Sequence, residues 1–246
     1  MDRIIYTAMT GANAAANRQA VLSNNLANTS TNGFRAELAT YRAVPLRGDG
    51  ATTRVFALEA TAGYLDKPGP AMRTDRNLDA MTTGNSWFAV QGINGEEAYT
   101  RNGHFEVATD GTLVTGGGLT VLSNGGAPIT VPQGATLSIG KDGTISAKVG
   151  TQPANNIGRL KMVSATADEP IRRGDDGLFH PVNGDPLPND ETAQLQVGVL
   201  EGSNVNAIET MVGMIQTARQ FEAQMRLLQT AESNDRSAGQ LLGLQG

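Results

Sequence analysis

The sequence contains no cysteine, and aromatic residues make up only 4% of it. Without cysteine the chain has no disulfide framework, no thiol nucleophile and no cysteine-based zinc site. Its 246 residues are enough for one sizeable core, or for one core plus an appendage. Because only 39% of the residues are hydrophobic, we do not expect a single compact core of the kind that enzymes have.

The chain also lacks a concentrated basic run and a long apolar run. Its net charge of −5 argues against a phosphate-binding surface, so we expect no nucleic-acid partner. No stretch approaches the roughly 18 apolar residues of a membrane span, so we expect no membrane insertion. The opening MDRIIYTAMTGANAAANRQ has neither a charged n-region nor a continuous apolar h-region, so we expect no cleaved signal peptide. If the protein is exported, another route carries it.

The two ends of the chain carry helical periodicity. At the N-terminus, apolar and small residues recur in steps of three and four from Ile5 through Leu22 to Leu26. Most of that stripe is alanine, which buries little area, so the predicted helix needs a partner. Near the C-terminus a stronger apolar stripe has the same spacing, and Ile208, Val212 and Ile215 widen it. The residues of the stripe are Ala207, Met211, Met214, Ala218, Phe221, Met225 and Leu228.

The C-terminal stripe predicts a helix of up to roughly 35 residues. Asn204 or Asn206 is a candidate N-cap, and Glu209 in the first turn complements the helix dipole. A heptad-like seam of this length usually meets another helix. We therefore predict that residues 1–30 and 204–246 form a paired, coiled-coil helical domain.

The middle of the chain, residues 75–183, has a different texture. Short β-type runs alternate with Asn-Gly and Asp-Gly dipeptides, which supply the positive φ angles of tight hairpins: Asn94-Gly95, Asn102-Gly103, Asp110-Gly111, Asn124-Gly125, Asp142-Gly143, Asp176-Gly177 and Asn183-Gly184. Residues 31–74 and 184–203 hold half of the ten prolines and predict extended connectors with weak strand pairing. The predicted fold class is α+β, with a discontinuous terminal coiled-coil domain and a central, mostly antiparallel β domain.

No constellation of residues predicts catalysis, cofactor binding or metal binding. His104 and His180 are the only histidines, and neither has the context of a known metal or nucleophile motif. The acidic pairs Asp168-Glu169 and Asp175-Asp176 are ordinary in turn-rich sequence. Trp87 and Phe88 are typical anchors of a β core. Two function classes remain from the residues alone: a self-assembling structural subunit, or a secreted β-domain enzyme or adhesin with helical oligomerisation tails.

Three separated segments favour the first class. LSNNLANTSTNGF, from Leu22 to Phe34, resembles the N-terminal signature of the flagellar rod, hook and filament-junction axial proteins. GVLEGSNVNAIETMVGMIQTARQFEAQMRLLQTAE resembles their C-terminal segment, and LDAMTTGNSWFAVQG with EAYTRNGHFEVATDGTLVT resembles the β domain of rod and hook proteins. Within the family, the opening and the ending are most similar to proximal rod proteins, with distal rod proteins a close second.

The resemblance implies a structural subunit of the bacterial flagellar rod, which crosses the periplasm. It implies export through the flagellar type III apparatus, addition beneath a rod cap, and contacts with proximal rod neighbours, the distal rod protein and further copies of the chain. In the family, the terminal helices form an inner tube and the β domain faces outward. A distal rod or hook-type axial protein is the alternative within the family.

The resemblance also predicts assembly residues. Three asparagines, Asn24, Asn25 and Asn28, would lie where the N-terminal helix ends. Their side-chain amides would bond to free carbonyls or to a neighbouring subunit. The alternative is that they face solvent at a frayed helix end. Asn32-Gly33 would form the following turn. The full predicted assembly set is Ile5, Leu22, Asn24, Asn25, Leu26, Asn28, Gly33 and Phe34 at the N-terminus, with Asn204, Asn206, Met211, Met214, Ile215, Ala218, Phe221, Met225 and Leu228 at the C-terminus.

Overall fold

The computed structural model describes residues 2–45 and 55–243. Residue 1, residues 46–54 of the predicted first connector and residues 244–246 of the predicted C-terminal helix lie outside the described residues. The elements are α1 (Asp2–Ala27), β1 (Glu37–Pro45), β2 (Val55–Tyr64), β3 (Ala71–Arg73), β4 (Ala80–Thr82), β5 (Ser86–Gln91), β6 (Glu97–Thr100), β7 (Phe105–Val107), β8 (Leu113–Thr115), β9 (Ala135–Ile139), β10 (Thr144–Val149), β11 (Asn155–Arg159), β12 (Met162–Ser164), β13 (Ile171–Arg173), β14 (Phe179–Pro181), β15 (Leu195–Val197), β16 (Val199–Glu201) and α2 (Ala207–Gly243).

The chain divides into two compact units. The first contains α1, β1, β2 and α2, and the second contains Ser30–Arg35 and Asp66–Asn204 with all the remaining strands. Strand pairings throughout the described residues are antiparallel. The predicted α+β class, with one helix near each end of the chain and an antiparallel β region between them, is therefore confirmed.

In the first unit, α1 and α2 pack side by side. A Cβ atom placed on Gly11 would lie 3.0 Å from Cδ of Gln224, and one placed on Gly213 would lie 3.4 Å from Cδ1 of Leu22. Because numbers rise along one helix as they fall along the other, the helices are antiparallel. Ala8, Ala12 and Ala15 on α1 are buried, and their small side chains allow the close approach.

Strands β1 and β2 form a two-stranded ribbon in the same unit. Their register runs from Glu37 opposite Tyr64 to Pro45 opposite Val55, with an irregularity between Thr40 and Tyr41. The sequence predicts only weak pairing here, because its alanines have low strand propensity. Both strands pack against α1, and this tertiary contact supplies support that the local sequence lacks.

In the second unit the strands form several small sheets. The largest sheet has the strand order β12-β5-β6-β14-β13, and a second has the order β11-β10-β9. Three further sheets have two strands each: β15-β4, β16-β3 and β7-β8. The predicted central β domain, residues 75–183, lies within this unit. Strands β3, β15 and β16 come from the predicted connectors: β3 and β16 pair with each other, and β15 pairs with β4.

The core of the second unit is formed by apolar side chains from most of its strands. Phe88 and Phe105 are fully buried and meet edge to face, with ring centroids 5.1 Å apart. Ile145, Leu160 and Met162 are equally inaccessible and belong to the same cluster. The predicted role of Phe88, and of the fully buried Trp87, as β-core anchors is confirmed.

Six hairpin loops of the described chain share one backbone design. In each five-residue loop the first N–H donates to the fifth carbonyl, the fourth N–H donates to the first carbonyl, and the fourth residue is a glycine with φ between 75° and 85°. This is a turn closed by a left-handed glycine. The loops are 92–96, 108–112, 115–119, 123–127, 140–144 and 174–178.

Most of the predicted turn dipeptides occupy these loops. Gly95, Gly111, Gly143 and Gly177 come from predicted Asn-Gly or Asp-Gly pairs, whereas Gly118 and Gly126 complete the set from glycine-rich stretches. In three loops an aspartate accepts the N–H two residues later; for example, Asp142 Oδ1 accepts from Thr144 N at 3.1 Å. The Thr144 hydroxyl and N–H hold the pKa of the Asp142 carboxyl below its usual value. The predicted turn at Asn124-Gly125 is present in loop 123–127, but its positive φ is at Gly126; the predicted positive φ at Gly103 is wrong.

The loop glycines lead to a stability prediction. Gly118 has φ +81° and open space around its Cα, so Gly118→Ala would suffer only the left-handed backbone penalty. We expect a loss of about 1 to 2 kcal/mol in the free energy of unfolding, measured by urea denaturation of the full chain. Gly117→Ala is the matched control, since Gly117 lies outside the positive-φ region, and it should be neutral or slightly stabilising. Equal losses in the two variants would contradict this explanation.

Candidate assembly site

Helix α2 exposes a cluster of large apolar side chains, which we call the α2 patch. It consists of Ile208, Met211, Val212 and Ile215, whose exposed fractions are 74%, 47%, 48% and 56%. The spacing of three and four residues places all four on one side of the helix. An exposed, contiguous apolar face of this kind is typical of a protein-protein interface.

The opposite side of α2 faces α1 and is much less apolar. Thr210, Thr217 and Ala231 are buried, and Gln224 lies against Gly11, so the covered line repeats every seven residues. The sequence predicts a paired helix along the apolar stripe. In the structure α1 instead covers a line of small and polar residues, because the alanines of α1 fit closely against short side chains, and most of the apolar stripe stays uncovered within the chain.

The predicted assembly residues differ in exposure. In and after α1, one predicted residue is exposed (Asn24), four are half-buried (Ile5, Leu22, Leu26 and Asn28) and three are buried (Asn25, Gly33 and Phe34). In and before α2, six are exposed (Asn206, Met211, Ile215, Ala218, Phe221 and Met225) and three are half-buried (Asn204, Met214 and Leu228).

The N-cap of α2 is Asn206 and not Asn204. The Asn206 Oδ1 accepts hydrogen bonds from Ile208 N at 3.1 Å and Glu209 N at 3.3 Å.

The asparagines at the end of α1 bond within the chain. Asn25 is buried, and its carboxamide pairs with the backbone of Glu37: Nδ2 donates to the carbonyl at 3.0 Å and Oδ1 accepts the N–H at 2.8 Å. Asn28 Nδ2 donates to the Asn24 carbonyl at 2.9 Å, which also accepts the Asn28 backbone N–H at 3.2 Å. Asn24 Nδ2 donates to the Glu37 carboxylate at 2.9 Å. Together these bonds fix where the chain leaves α1 and enters β1.

A buried carboxylate lies at the point where the chain enters and leaves the second unit. Glu201 Oε1 accepts from Arg35 Nη1 and from the Gly69 N–H at 2.9 Å, and its Oε2 lies 3.5 Å from Arg101 Nη1. The Arg35, Arg101 and Glu201 side chains are all at least 98% buried. We call these three residues the Glu201 cluster.

The Glu201 cluster holds one more positive charge than negative charge, and neighbouring groups offset the difference. Arg101 Nη2 donates to the Gly84 carbonyl at 2.9 Å, and Arg101 Nη1 donates to Thr82 Oγ1 at 3.0 Å. The Arg101 and Arg35 guanidinium carbons lie 4.8 Å and 5.8 Å from the centroid of the Trp87 ring. The negative face of that ring attracts both cations.

The same cluster ties together three distant stretches of chain. The Gly33 N–H donates to the Glu201 carbonyl at 2.7 Å, and the Asn204 N–H donates to the Phe34 carbonyl at 3.2 Å. A Cβ atom on Gly33 would lie 2.4 Å from the Arg101 backbone, so only glycine fits there. Sequence reasoning missed the cluster, because nothing in a single sequence links Arg35 to Glu201 across 166 positions.

The histidines have ordinary acidic partners. His104 Nδ1 lies 2.8 Å from Asp79 Oδ1, and His180 Nε2 lies 3.0 Å from Asp176 Oδ2. Across residues 2–45 and 55–243, no group of three or more His, Asp or Glu side chains has an arrangement that could hold a metal ion. Within the same ranges, neither helix combines the length and the apolar character needed to cross a membrane.

Comparison with known proteins decides between the remaining function classes. Family models match three parts of the chain: "Flagella basal body rod protein" over residues 5–35, "Flagellar hook protein FlgE/F/G D1 domain" over 81–147, and "Flagellar basal body rod FlgEFG protein C-terminal" over 196–241. The chain is 45% identical to the flagellar basal-body rod protein FlgF of Escherichia coli K12, covering 99% of this chain and 100% of the relative. It belongs to the FlgF family of flagellar basal-body rod proteins.

Other relatives agree with this membership. FlgF of Salmonella typhimurium LT2 is 44% identical over 99% of the chain and 100% of the relative. The rod protein FlgG of Buchnera aphidicola, from Schizaphis graminum, is 30% identical over 96% of the chain and 98% of the relative. The protein is therefore a structural component of the flagellar basal body that associates with other axial proteins, and it is not an enzyme. The prediction of a proximal rod subunit is confirmed.

The bonds of Asn25 lead to a prediction about the rod protein on its own. Asn25→Ala removes both partners of the Glu37 backbone, and we expect a loss of about 1 to 3 kcal/mol in the free energy of unfolding. Asn24→Ala, at an exposed position of the same turn, should change it by less than about 0.5 kcal/mol. Urea denaturation of the two full-length variants measures the difference. An unchanged stability of the Asn25 variant would contradict the intrachain role.

The Glu201 cluster leads to a larger expected effect. Glu201→Gln keeps the shape of the side chain but leaves two buried guanidinium groups without a carboxylate, so we expect a loss of about 3 to 5 kcal/mol in urea denaturation. Glu232→Gln is the control, because its pair with Arg236 is exposed and should contribute less than about 0.5 kcal/mol. A loss for Glu201→Gln as small as that of the control would refute the importance of the cluster.

Proposed function

We propose that this rod protein contributes its two ends to an inner tube of the rod and its β domain to the outer surface, and that it passes torque from the motor toward the hook. In this proposal residues 1–30 and 204–246 form coiled-coil contacts with neighbouring subunits. Residues 31–74 and 184–203 connect them to the outward-facing domain at 75–183. Membership of the rod family supports the arrangement.

The observation that carries the proposal is the uncovered apolar face of α2. The α2 patch lies inside the segment that matches the rod family model, residues 196–241. Each large apolar side chain that moves from water into a contact contributes roughly 1.5 to 3 kcal/mol. Covering four such side chains on one helix face would therefore stabilise a contact with a neighbouring subunit. On α2, the buried residues that face α1 are small or polar: Thr210, Thr217 and Ala231.

The predicted assembly residues divide into two roles under this proposal. Exposed residues of the stripe, Met211, Ile215, Ala218, Phe221 and Met225, contact neighbouring subunits. Buried and half-buried residues at the end of α1, such as Asn25 and Leu26, hold the helix in the orientation that presents those surfaces. The exposed Asn24 stays available to a neighbour through its second amide hydrogen.

We further propose that the protein reaches the periplasmic part of the rod through the flagellar type III export apparatus and is added beneath a rod cap. Its neighbours there would be other proximal rod proteins, further copies of itself and the distal rod protein. The family membership and the lack of cysteine support this route, since a cysteine-free chain acquires no disulfides on entering an oxidising compartment.

The test changes the α2 patch and examines basal bodies by electron microscopy. Ile215→Glu should leave the free energy of unfolding of the purified chain nearly unchanged, because the side chain is 56% exposed. In the rod the new carboxylate would be buried against apolar groups at a cost of several kcal/mol. We therefore expect at least about a tenfold drop in complete rods, since each 1.4 kcal/mol is a factor of ten, together with loss of motility.

The matched control is Gln220→Glu, which adds the same charge at another exposed position of α2 and should leave the rods intact. A strain that lacks the chain, with and without the restored wild-type gene, sets the two reference points. Complete rods and normal motility with Ile215→Glu would refute the proposed role of the α2 patch. Intact flagella in the strain without the chain would refute the rod function itself.

A further inference from the structure

One exposed isoleucine and one exposed valine lie at the same end of the five-stranded sheet of the second unit. Ile93, in the loop between β5 and β6, is 83% exposed, and Val182, just after β14, is 58% exposed. Phe179 pairs with Tyr99 in antiparallel register, so the chain after β14 runs toward the loop that carries Ile93. We call Ile93 and Val182 the apolar knob.

The surroundings of the knob are acidic. Residues 91–97 and 181–185 contain Glu96, Glu97 and Asp185 but no lysine or arginine. The charge of Glu97 is matched by Lys161, whose Nζ lies 2.7 Å from Glu97 Oε1. Glu96 and Asp185 are exposed. The exposed Arg172 lies opposite His180 on the neighbouring strand β13. The knob therefore presents apolar side chains beside two exposed carboxylates and one exposed cation.

A groove in the same unit has the complementary character. It has a volume of about 480 Å³, and its lining mixes the half-buried Val197 and Val199 with polar and charged residues: Arg73, Asp75, Thr83, Lys141, Gln194 and Gln196. Arg73 is paired with Asp75 at 2.6 Å, whereas Lys141 is exposed and gives the groove a net positive charge. Two valines beside an exposed cation fit an apolar side chain that has carboxylates next to it.

The knob and the groove lie at opposite ends of one strand. Thr83, three residues before β5, lines the groove, and the loop with Ile93 directly follows β5. The six residues of β5 span about 20 Å at 3.3 Å per residue. The knob of one chain therefore cannot reach the groove of the same chain, but two chains stacked in the same direction can bring the two surfaces together.

We propose that the knob of one rod protein inserts into the groove of a second copy, so that successive β domains join head to tail. Such a contact uses two different surfaces, and therefore continues from subunit to subunit instead of closing a dimer. The inference rests on the proposed function, since it describes how copies of the chain meet in the rod. It adds a second interface, distinct from the α2 patch, to each subunit.

The absence of native cysteine makes a direct test possible. Asn94→Cys beside the knob and Gln196→Cys in the groove leave Ile93, Val182, Arg73 and Lys141 in place, and both positions are exposed. Basal bodies would be purified from cells that make only the full-length double variant, and treated with a mild oxidant or a short bis-maleimide. We expect covalent species of two and more chains on denaturing gels.

Three controls give the test its specificity. Each single-cysteine variant should stay monomeric on the gel, because the proposed contact joins different surfaces. Asn94→Cys combined with Lys148→Cys, an exposed position outside the groove, should also give no product. Adding Ile93→Asp to the first pair should abolish cross-linking by placing a third carboxylate in the contact surface and removing the apolar side chain.

The other outcomes overturn the inference. No product from the first pair, although both cysteines react with a labelled maleimide, would exclude the head-to-tail contact. Products from a single-cysteine variant would indicate a like-with-like contact, and products with a different protein would show that the occupant is not a second copy. The presence of the chain in the basal bodies separates these results from a failure of the rod function, which would leave the chain absent from the preparation.

Discussion

The carboxylate of Glu201 is the group on which the packing of distant chain segments within the second unit depends. It receives a guanidinium from Arg35, which follows α1 in the chain, a backbone N–H from Gly69, and a second guanidinium from Arg101, which follows β6. Ionised groups at this depth persist only when their partners are held in place, since removal of any one leaves an uncompensated charge. The cluster thus favours one arrangement of the strands that carry Glu201 and Trp87. A looser arrangement would leave a buried guanidinium without its carboxylate partner.

A rod must resist twisting, and the chemistry of the cluster suits that demand. Two arginines share one carboxylate and one tryptophan face, so a small displacement weakens several interactions at once. An apolar contact of the same size has no preferred direction and would permit sliding. The polar cluster therefore adds directional stiffness within the second unit, while the apolar cluster around Phe88 and Phe105 supplies most of the burial there.

Local patterns in the sequence were sufficient to predict the helices, the antiparallel β region and four of the six loop glycines, because each depends on residues close together in the chain. Pairing of β1 with β2 was underestimated, since it depends on α1 and not on strand propensity. Periodicity found the apolar stripe of α2 but could not reveal which side α1 covers, because alanine fits against threonine as readily as against methionine. The Glu201 cluster escaped prediction for a simpler reason: its members are neighbours only in the folded chain.

The six hairpin loops also determine the order in which the molecule can acquire its structure. Each loop closes contacts between residues only a few positions apart, and such local contacts form quickly because little chain entropy is lost. The pairing of α1 with α2 joins opposite parts of the chain, such as Leu22 with Gly213 and Gly11 with Gln224, and needs α2 to be present. Because a chain is synthesised from its N-terminus, the hairpins can close before the two helices can pair.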